Sequence, residues 1–269
     1  PWEDMINKYK YNEQKNALDK RISAHSNFSN FNLHNWISSK FDIKIGDNIY
    51  DIGCGNGNYT ELFFSKITES GLVYGVDKNK DLISDANNKY RNLSKNIHFK
   101  AEDYDLVDST NISFDWVFSI YSLYYTSNSQ ALVSKFKKIL NNNGRFVVIG
   151  PASGNALDLD NFHFKVTGAL PNAEHRLRNK RIEDEFYLLF KDVFGEDNVV
   201  LELINTKMTF LMVEDYAEYY WSTLLWRECV EGLDADQVLK LKDKTIDALS
   251  HYGELSIEKQ MSCLVGENK

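Results

Sequence analysis

The amino-acid sequence predicts an α/β fold with a seven-stranded, mainly parallel β-sheet and helices on both of its faces. From about residue 49, short apolar runs alternate with amphipathic segments, which is the pattern of strands joined by crossover helices. The first apolar run ends in a cluster of glycines, as expected where a strand turns tightly into a helix. With 43% hydrophobic and 26% charged residues, the chain has the composition of a folded globular protein.

The first five strands are predicted at residues 49–52, 72–76, 97–101, 116–120 and 145–149, where apolar runs end at glycine or polar residues. Two of the connecting helices have a clear buried face. In the first, Leu82, Ile83, Ala86 and Tyr90 recur at helical spacing. The second of these helices precedes the fifth strand, and Ser129 is the residue expected to cap its N-terminus.

The second half of the chain has a looser pattern. Residues 151–180 show no clear period and are interpreted as a lid. They are followed by a helix, strand six (199–204), an aromatic-rich helical region (214–250) and a final strand (255–265). The expected organisation is a helical segment over residues 1–40, packed on one main domain over 41–269. Lid insertions are expected at about 151–180 and 214–250.

Composition limits the classes of partner. Thirty-one Lys and Arg against thirty-nine Asp and Glu give a net charge of −8, which disfavours nucleic acid as a partner. Cys54, Cys229 and Cys263 are far apart and form no CxxC pair, so neither disulfides nor a metal site is expected, and a cytoplasmic location is favoured. No apolar stretch approaches the roughly 18 residues that span a bilayer, so no membrane association is expected. The oligomeric state is left open.

The strongest motif lies at residues 49–58, where the sequence IYDIGCGNGN runs from a strand into a glycine-rich turn. Such turns let a ligand approach the backbone closely, and the next helix offers free N–H groups at its start. Gly53, Gly55 and Gly57 give the spacing GxGxG, whereas a dinucleotide fingerprint requires GxGxxG. Asp51, two residues before the first glycine, is suited to a cation. Taken alone, the turn is equally consistent with a packing role.

Together with acidic residues at the next two strand ends, this motif resembles motif I of the class I S-adenosylmethionine-dependent methyltransferases, a Rossmann-like family with an antiparallel last strand. The resemblance covers residues 45–150 well and residues 181–265 in element order only. It implies S-adenosylmethionine as the cofactor. Asp51 would bind its ammonium group, Asp77 both ribose hydroxyls and Asp103 the adenine amino group. The other residues implied in cofactor binding are Gly53, Cys54, Gly55, Lys78, Tyr104, Ser119 and Ile120.

The resemblance also indicates where the methyl acceptor binds. Tyr121 and Tyr124, after the fourth strand, would face it. His163 is the candidate general base, although a packing histidine is the more common case. Arg176, in the basic run 175–181, is a candidate ligand for an anionic acceptor, with a solvated helix start as the alternative. Tyr220, in the aromatic region, would wall the pocket or simply pack in the core.

The function implied is methyl transfer by direct displacement to a small molecule, at oxygen, nitrogen or a carboxylate. Motifs that grip a flipped base, of the Pro-Pro-Tyr type, are replaced here by SIYSLYY. The alternative from another class is a non-catalytic S-adenosylmethionine-binding scaffold or regulatory partner. A nicotinamide dehydrogenase is a third interpretation, and it is disfavoured by the position of Gly57.

Overall fold

The structure of the protein, a computed structural model, describes residues 15–106 and 111–269. These contain seven strands at the positions that the apolar runs predict, most of them longer than predicted. The strands are β1 (Asn48–Ile52), β2 (Leu72–Asp77), β3 (Ile97–Ala101), β4 (Phe114–Ile120), β5 (Leu140–Pro151), β6 (Val199–Thr209) and β7 (Ser256–Glu267).

All seven strands join one sheet in the order β3-β2-β1-β4-β5-β7-β6. The pairs β1–β2, β1–β4, β2–β3 and β4–β5 are parallel, whereas β7 lies antiparallel between β5 and β6. The predicted mainly parallel sheet with an antiparallel last strand is therefore confirmed. The strand order reverses between β1 and β4, and in open α/β sheets this is where ligands bind, at the carboxyl ends of the strands.

Helices cover both faces of the sheet. They are α1 (Lys15–Phe28), α2 (Leu33–Lys40), α3 (Thr60–Ile67), α4 (Lys80–Tyr90), α5 (Ser129–Lys138), α6 (Leu157–Thr167), α7 (Ala173–Arg181), α8 (Tyr187–Phe194), α9 (Val213–Ser222), α10 (Leu224–Val230) and α11 (Ala235–Ser250). A single π-helical turn, Ile182–Phe186, joins α7 to α8 without a break. Across the described ranges, none of these helices combines the length and apolar character that a membrane crossing requires.

The alternation of side chains along β1 explains why both faces are covered. Ile49 packs against α2 and α3 in one apolar cluster, and Tyr50 packs against α5 and α8 in another. In the first cluster, the ring of Phe118 stacks on that of Phe63 with 4.7 Å between centroids. A third cluster lies outside the sheet and joins α6, α9 and α11 through residues such as Phe162 and Tyr216. These two layers and the additional helical cluster hold the strand ends in fixed positions.

The leading segment predicted over residues 1–40 is helical where it is described, in α1 and α2, and residues 1–14 lie outside the described residues. α1 packs mainly on α9 and also contacts β6. Its Arg21 Nη1 donates to the carbonyl oxygen of Ser222 at 2.8 Å, and Lys20 pairs with Glu218 at 2.6 Å. These contacts place α1 over the carboxyl ends of the strands.

Two sequence-based expectations differ from the structure. The N-cap of α5 is Asn128, whose side chain accepts from the backbone N–H of Ala131, while Ser129 is the first residue of the helix. Residues 151–180 contain two helices although the sequence shows no clear period there, and their expected role as a lid stays a prediction. In α6, Leu159 and Phe162 are buried at helical spacing, a pattern that the sequence carried. α7 has almost no apolar face, because it buries polar residues instead, and so periodicity does not reveal it.

Removing the Phe118 ring is expected to test the packing that fixes β4. Phe118→Ala leaves a cavity in a closed cluster and should lower the free energy of unfolding by about 3–5 kcal/mol in chemical denaturation. The matched control is Leu188→Ala, since Leu188 is 64% exposed and its loss should change stability by less than about 0.5 kcal/mol. Equal effects of the two variants would contradict this account of the core.

Candidate functional site

A cavity of about 610 Å³ opens at the carboxyl ends of the central strands. It lies at the reversal of strand order between β1 and β4, and α1, α7 and α10 contribute to its walls. The structure brings most of the sequence-predicted site residues together here. Those that line the cavity are Asp51, Gly53, Cys54, Gly55, Asp77, Lys78, Tyr104, Ile120, Tyr121 and Tyr124.

The glycine-rich turn forms one edge of the cavity. Gly53 has a φ of +69°, and a Cβ at this position would lie 1.9 Å from the Oγ of Ser122, so no other residue fits without displacing the backbone. The N–H groups of Gly53 and Cys54 both donate to the carbonyl oxygen of Val76, at 2.7 and 3.0 Å. These two hydrogen bonds therefore hold the turn against the end of β2.

Asp77, at the end of β2, is held in place by the same turn. Its Oδ2 accepts from the N–H of Gly55 at 3.0 Å, and its Oδ1 accepts from the N–H of Asn79 at 2.8 Å. Burial raises the pKa of this carboxyl group, and the two backbone hydrogen bonds oppose that increase. Each oxygen retains a further lone pair, so the fixed carboxylate can still accept from a ligand.

Asp51 is the least compensated group in the cavity. It is 2% exposed, and its Oδ2 has no hydrogen-bond partner among the described residues. Burial, and then the nearby Asp77, raise the pKa of Asp51 to about 7. The Oγ of Ser122, also in the cavity wall, is likewise unpartnered within the described ranges. An orphaned acceptor beside a turn of bare backbone fits a ligand with a positively charged donor, such as the ammonium group of S-adenosylmethionine.

Cys54 has a packing role in this turn. The residue is buried, and its Sγ lies 3.8 Å from the carbonyl oxygen of Gly55. Burial, followed by the charges of Asp51 and Asp77, raises the pKa of the thiol well above its ordinary value. The thiol therefore stays protonated at neutral pH and is unsuited to nucleophilic attack.

Aromatic side chains follow the ends of β3 and β4. Tyr121 has a φ of +57°, a left-handed conformation that costs a non-glycine residue energy and is concentrated at functional sites. The hydrogen bond from its N–H to the carbonyl oxygen of Ile149, at 2.7 Å, holds this conformation. Tyr104 is nearly buried and donates from its hydroxyl to the carbonyl oxygen of Ser122 at 3.1 Å. Both rings are therefore fixed where they line the cavity.

Two residues expected at the cofactor lie outside the cavity lining. Ser119 is fully buried, and its Oγ accepts from the N–H of Leu123 at 2.9 Å, so it shapes the turn after β4 from beneath. Asp103 caps its own turn, accepting at Oδ1 from the N–H of Asp105 at 3.0 Å. Its predicted contact with adenine stays a prediction.

Three residues expected at the acceptor are also away from the cavity lining. His163 is 1% exposed, and its Nδ1 lies 2.6 Å from the hydroxyl of Tyr220. Both side chains pack in the helical cluster of α6, α9 and α11, because they fall on the buried faces of their helices. Arg176 points to the surface and pairs with Asp160 at 3.2 Å. His163, Arg176 and Tyr220 thus lie outside the cavity lining, and their expected roles as base and acceptor ligands stay predictions.

Other polar residues that the sequence analysis did not name individually as site residues also line the cavity, two of them within the basic run 175–181. Two signals in the sequence pointed to them. Arg178 follows His175 by three residues, so both share one face of α7. Lys259 interrupts the alternating apolar face predicted for the final strand, and a charge on a buried face is typical of a cavity. The residues not named individually as site residues are Arg21, His25, His175, Arg178, Tyr219 and Lys259.

The charge of Asp51 should be visible in the stability of the ligand-free protein. Because the pKa of Asp51 is raised from 3.8 to about 7, its contribution to stability is full below pH 3.8 and is lost as the pH rises through about 7. Asp51→Asn is therefore expected to raise the thermal midpoint by several degrees at pH 8 and by less at pH 5. Asp192→Asn, which removes an exposed carboxylate, is the control in the same calorimetric scans. A lower midpoint for Asp51→Asn at pH 8 would contradict the account of an uncompensated charge.

The family comparison covers the centre of the chain. Residues 43–192 match the family described as "Methyltransferase domain". A relative from Saccharolobus solfataricus, named "Probable cobalt-precorrin-6B C(15)-methyltransferase (decarboxylating)", is 31% identical over 113 residues, which are 41% of this chain and 55% of the relative. The demethylmenaquinone methyltransferase of Lactobacillus johnsonii is 29% identical over 112 residues, 41% of this chain and 46% of the relative. The chain thus spans about half the length of the curated relatives it matches.

Solved structures show the same fold. A SAM-dependent methyltransferase from Aquifex aeolicus superposes with a TM-score of 0.54 and 16% identity, covering 72% of this chain and 91% of that one. At this identity the likeness speaks for the fold alone. The domain match, by contrast, extends over more than half of the chain and includes the glycine-rich turn, Asp51 and Asp77. The protein therefore belongs to the class I S-adenosylmethionine-dependent methyltransferase family.

Proposed function

We propose that this protein transfers a methyl group from S-adenosylmethionine to a small molecule bound in the same cavity. The observation that carries the proposal is the orphaned, buried carboxylate of Asp51 beside the glycine-rich turn, in one cavity with Asp77, Tyr121 and Tyr124. A buried charge without a partner is costly, and it is retained where a ligand of opposite charge compensates it. The family match supports this function over a purely structural role for the turn.

The residues that would hold the cofactor have separate tasks. Asp51 accepts from the ammonium group, and Asp77 accepts from the ribose hydroxyls with the lone pairs that its backbone hydrogen bonds leave open. Tyr104 flanks the adenine ring, as the resemblance implies. The cofactor supplies a methyl group on a sulfonium centre, which is already activated for displacement. The remaining task of the protein is to orient the cofactor and the acceptor.

Orientation is the main catalytic contribution that the protein makes in this proposal. Holding two reactants in line contributes roughly 7–11 kcal/mol to lowering a barrier. Tyr121 and Tyr124 wall the acceptor space from the end of β4, where the N–H of Tyr121 donates to Ile149 and the carbonyl oxygen of Tyr124 accepts from Arg181. Helices α1 and α10 close the space from the other side and exclude water. No large movement of protein charge is required.

A general base is needed only when the acceptor loses a proton, as a hydroxyl or an ammonium group does. The imidazoles that line the cavity are His25, His34 and His175, and the Nε2 of His34 lies 3.0 Å from the carbonyl oxygen of Asn58. Burial is the main cause that lowers the pKa of His175 to about 4 and that of His25 to about 3, so both are neutral at physiological pH. A neutral imidazole can accept a proton, but so low a pKa makes it a weak base. An acceptor that needs no deprotonation, such as a carboxylate, suits this site better.

The acceptor is proposed to be a small molecule rather than a nucleic acid. Both curated relatives carry small-molecule names, a cobalt-precorrin in one and demethylmenaquinone in the other. The cavity volume of about 610 Å³ lies in the range of small-molecule sites. Cations among its lining residues, Arg178 and Lys259, favour an anionic acceptor within this class.

Binding of the cofactor is tested by calorimetric titration with S-adenosylmethionine. Asp77→Ala should weaken binding by at least about tenfold, since it removes a charged acceptor of two hydrogen bonds from the ligand. The matched control is Asp192→Ala, which removes an exposed carboxylate far along α8 and should leave the affinity unchanged. Unchanged affinity in Asp77→Ala would remove the ribose assignment.

Turnover is tested by incubating the protein and S-adenosylmethionine with an extract of small metabolites. Methyl transfer should release S-adenosylhomocysteine at a rate that depends on the extract, because the acceptor is supplied by it. Asp51→Asn serves as the comparison, with release expected to fall by at least about tenfold as the ammonium loses its charged partner. Tight binding without any release would instead support the non-catalytic scaffold.

A further inference from the structure

A group of basic side chains, here called the basic wall, lies in the part of the cavity formed by α1, α7 and β7. It consists of Arg21 on α1, Arg178 on α7 and Lys259 on β7. These elements lie far apart in the sequence, so the fold itself gathers the three charges. In a protein with a net charge of −8, positive side chains gathered in one cavity favour an anionic ligand there.

Arg178 is the best-buried member of the wall, at 4% exposure. Its contacts with described residues are long. Nη2 lies 3.5 Å from both the Nδ1 of His175 and a carboxylate oxygen of Glu228, at the limit of a hydrogen bond. Its guanidinium also lies over the ring of Tyr125, 5.5 Å from the centroid. A guanidinium has five N–H donors, so most of them stay available to a ligand.

Lys259 extends the wall on the neighbouring strand. Its Nζ donates to the hydroxyl of Tyr219 at 3.3 Å, and its charge also acts on the carboxylate of Asp160. Asp160 is the acidic side chain of this region of the lining, and it is neutralised by Arg176 from outside. Glu228, 3.5 Å from Arg178, offsets part of the wall's positive charge, and Arg178 and Lys259 both still line the cavity.

Two of the histidines that line the cavity, His25 and His175, are affected by this charge. Burial lowers the pKa of both, and next in size are the charges of Lys259 on His25 and of Arg178 on His175. Their neutral rings add donors and acceptors without adding charge. They also provide a measurable signal, because an anion bound beside them would favour the imidazolium form.

Apolar side chains complete the same space. They come from α1, α6, α10 and β7, and they include Leu18, Ile22, Leu159, Leu225 and Met261. A ligand that fills this space presents an apolar body to these residues and its charge to the wall. The combination excludes a small, fully hydrated anion as the best fit.

We infer that the basic wall is a binding subsite for the oxyanion of an amphipathic acceptor, a carboxylate or a phosphate, held by Arg178 and Lys259. Arg178 offers paired N–H donors that match two oxygens of one oxyanion, and Lys259 adds a point charge. The inference rests on the proposed function only in taking this ligand to be the methyl acceptor. Binding of the anion itself is independent of methyl transfer.

The test is calorimetric titration of the full chain, with and without saturating S-adenosylhomocysteine, using three probes of one chain length. These are octanoate, octyl phosphate and the neutral methyl octanoate. At least one anion should bind about tenfold or more tightly than the ester, because the charged groups gain hydrogen bonds to a cationic wall. The tighter of the two anions identifies carboxylate or phosphate as the group that the subsite takes. Equal binding of all three probes would overturn the inference.

Charge variants locate the subsite. Arg178→Gln and Lys259→Gln should each weaken binding of the preferred anion by about tenfold, with little effect on the ester. Lys180→Gln is the matched control, since Lys180 is an exposed residue of the same helix and does not line the cavity. Should Arg178→Gln not fold, Lys259→Gln alone decides. Unchanged affinity for the anion in the folded variants would overturn the assignment.

A spectroscopic readout separates this inference from the proposed function. Titration of the His175 and His25 ring protons by NMR should show a rise in both pKa values when octanoate or octyl phosphate is bound, and none with methyl octanoate. Absence of that rise would contradict an anion beside the wall. Failure of S-adenosylhomocysteine to bind would count against the proposed function, while anion binding in the cofactor-free protein would still establish the subsite.

Discussion

The structure depends on keeping the unpartnered carboxylate of Asp51 at the end of a buried strand. β1 is the centre of the parallel part of the sheet and is flanked by β2 and β4 along its length. That position gives Asp51 a rigid support, and it also removes water from the carboxylate. Burial without water raises the pKa of Asp51, and a positively charged ligand beside the carboxylate would lower that pKa again. The turn requires glycine at position 53 because its φ is +69° and a Cβ there would collide with the side chain of Ser122.

The cavity has two regions of opposite charge. Asp51 and Asp77 come from the ends of the parallel strands, whereas Arg178 and Lys259 come from the added helices and from the antiparallel strand β7. The acidic region is thus built by the part of the chain that matches the family, and the basic region lies partly beyond it, since Lys259 falls outside residues 43–192. The two charged regions therefore depend on different elements of the fold.

The sequence predicted the sheet well because each strand is an apolar run with glycine or polar residues at its ends. The sequence also predicted the acidic residues that line the cavity, because residues that follow parallel strands meet at one edge of the sheet. The acceptor side was harder. His163 and His175 are both histidines in the same region, and only the phase of two helices decides that the first is buried against Tyr220 and the second lines the cavity. That phase is set by tertiary packing and not by local propensity.

The π-helical turn at Ile182–Phe186 connects this phase to the core of the protein. A π turn holds one residue more than the α-helical turn it replaces, and one residue corresponds to a rotation of about 100°. α8 is anchored to the sheet through Phe190, so the extra residue determines the direction in which α7 presents Arg178. A one-residue insertion or deletion in this turn during evolution would therefore redirect the ligand-facing side of α7 while every residue on that side stayed the same. In this way, a change in the register of one helix can alone change which ligand a relative prefers.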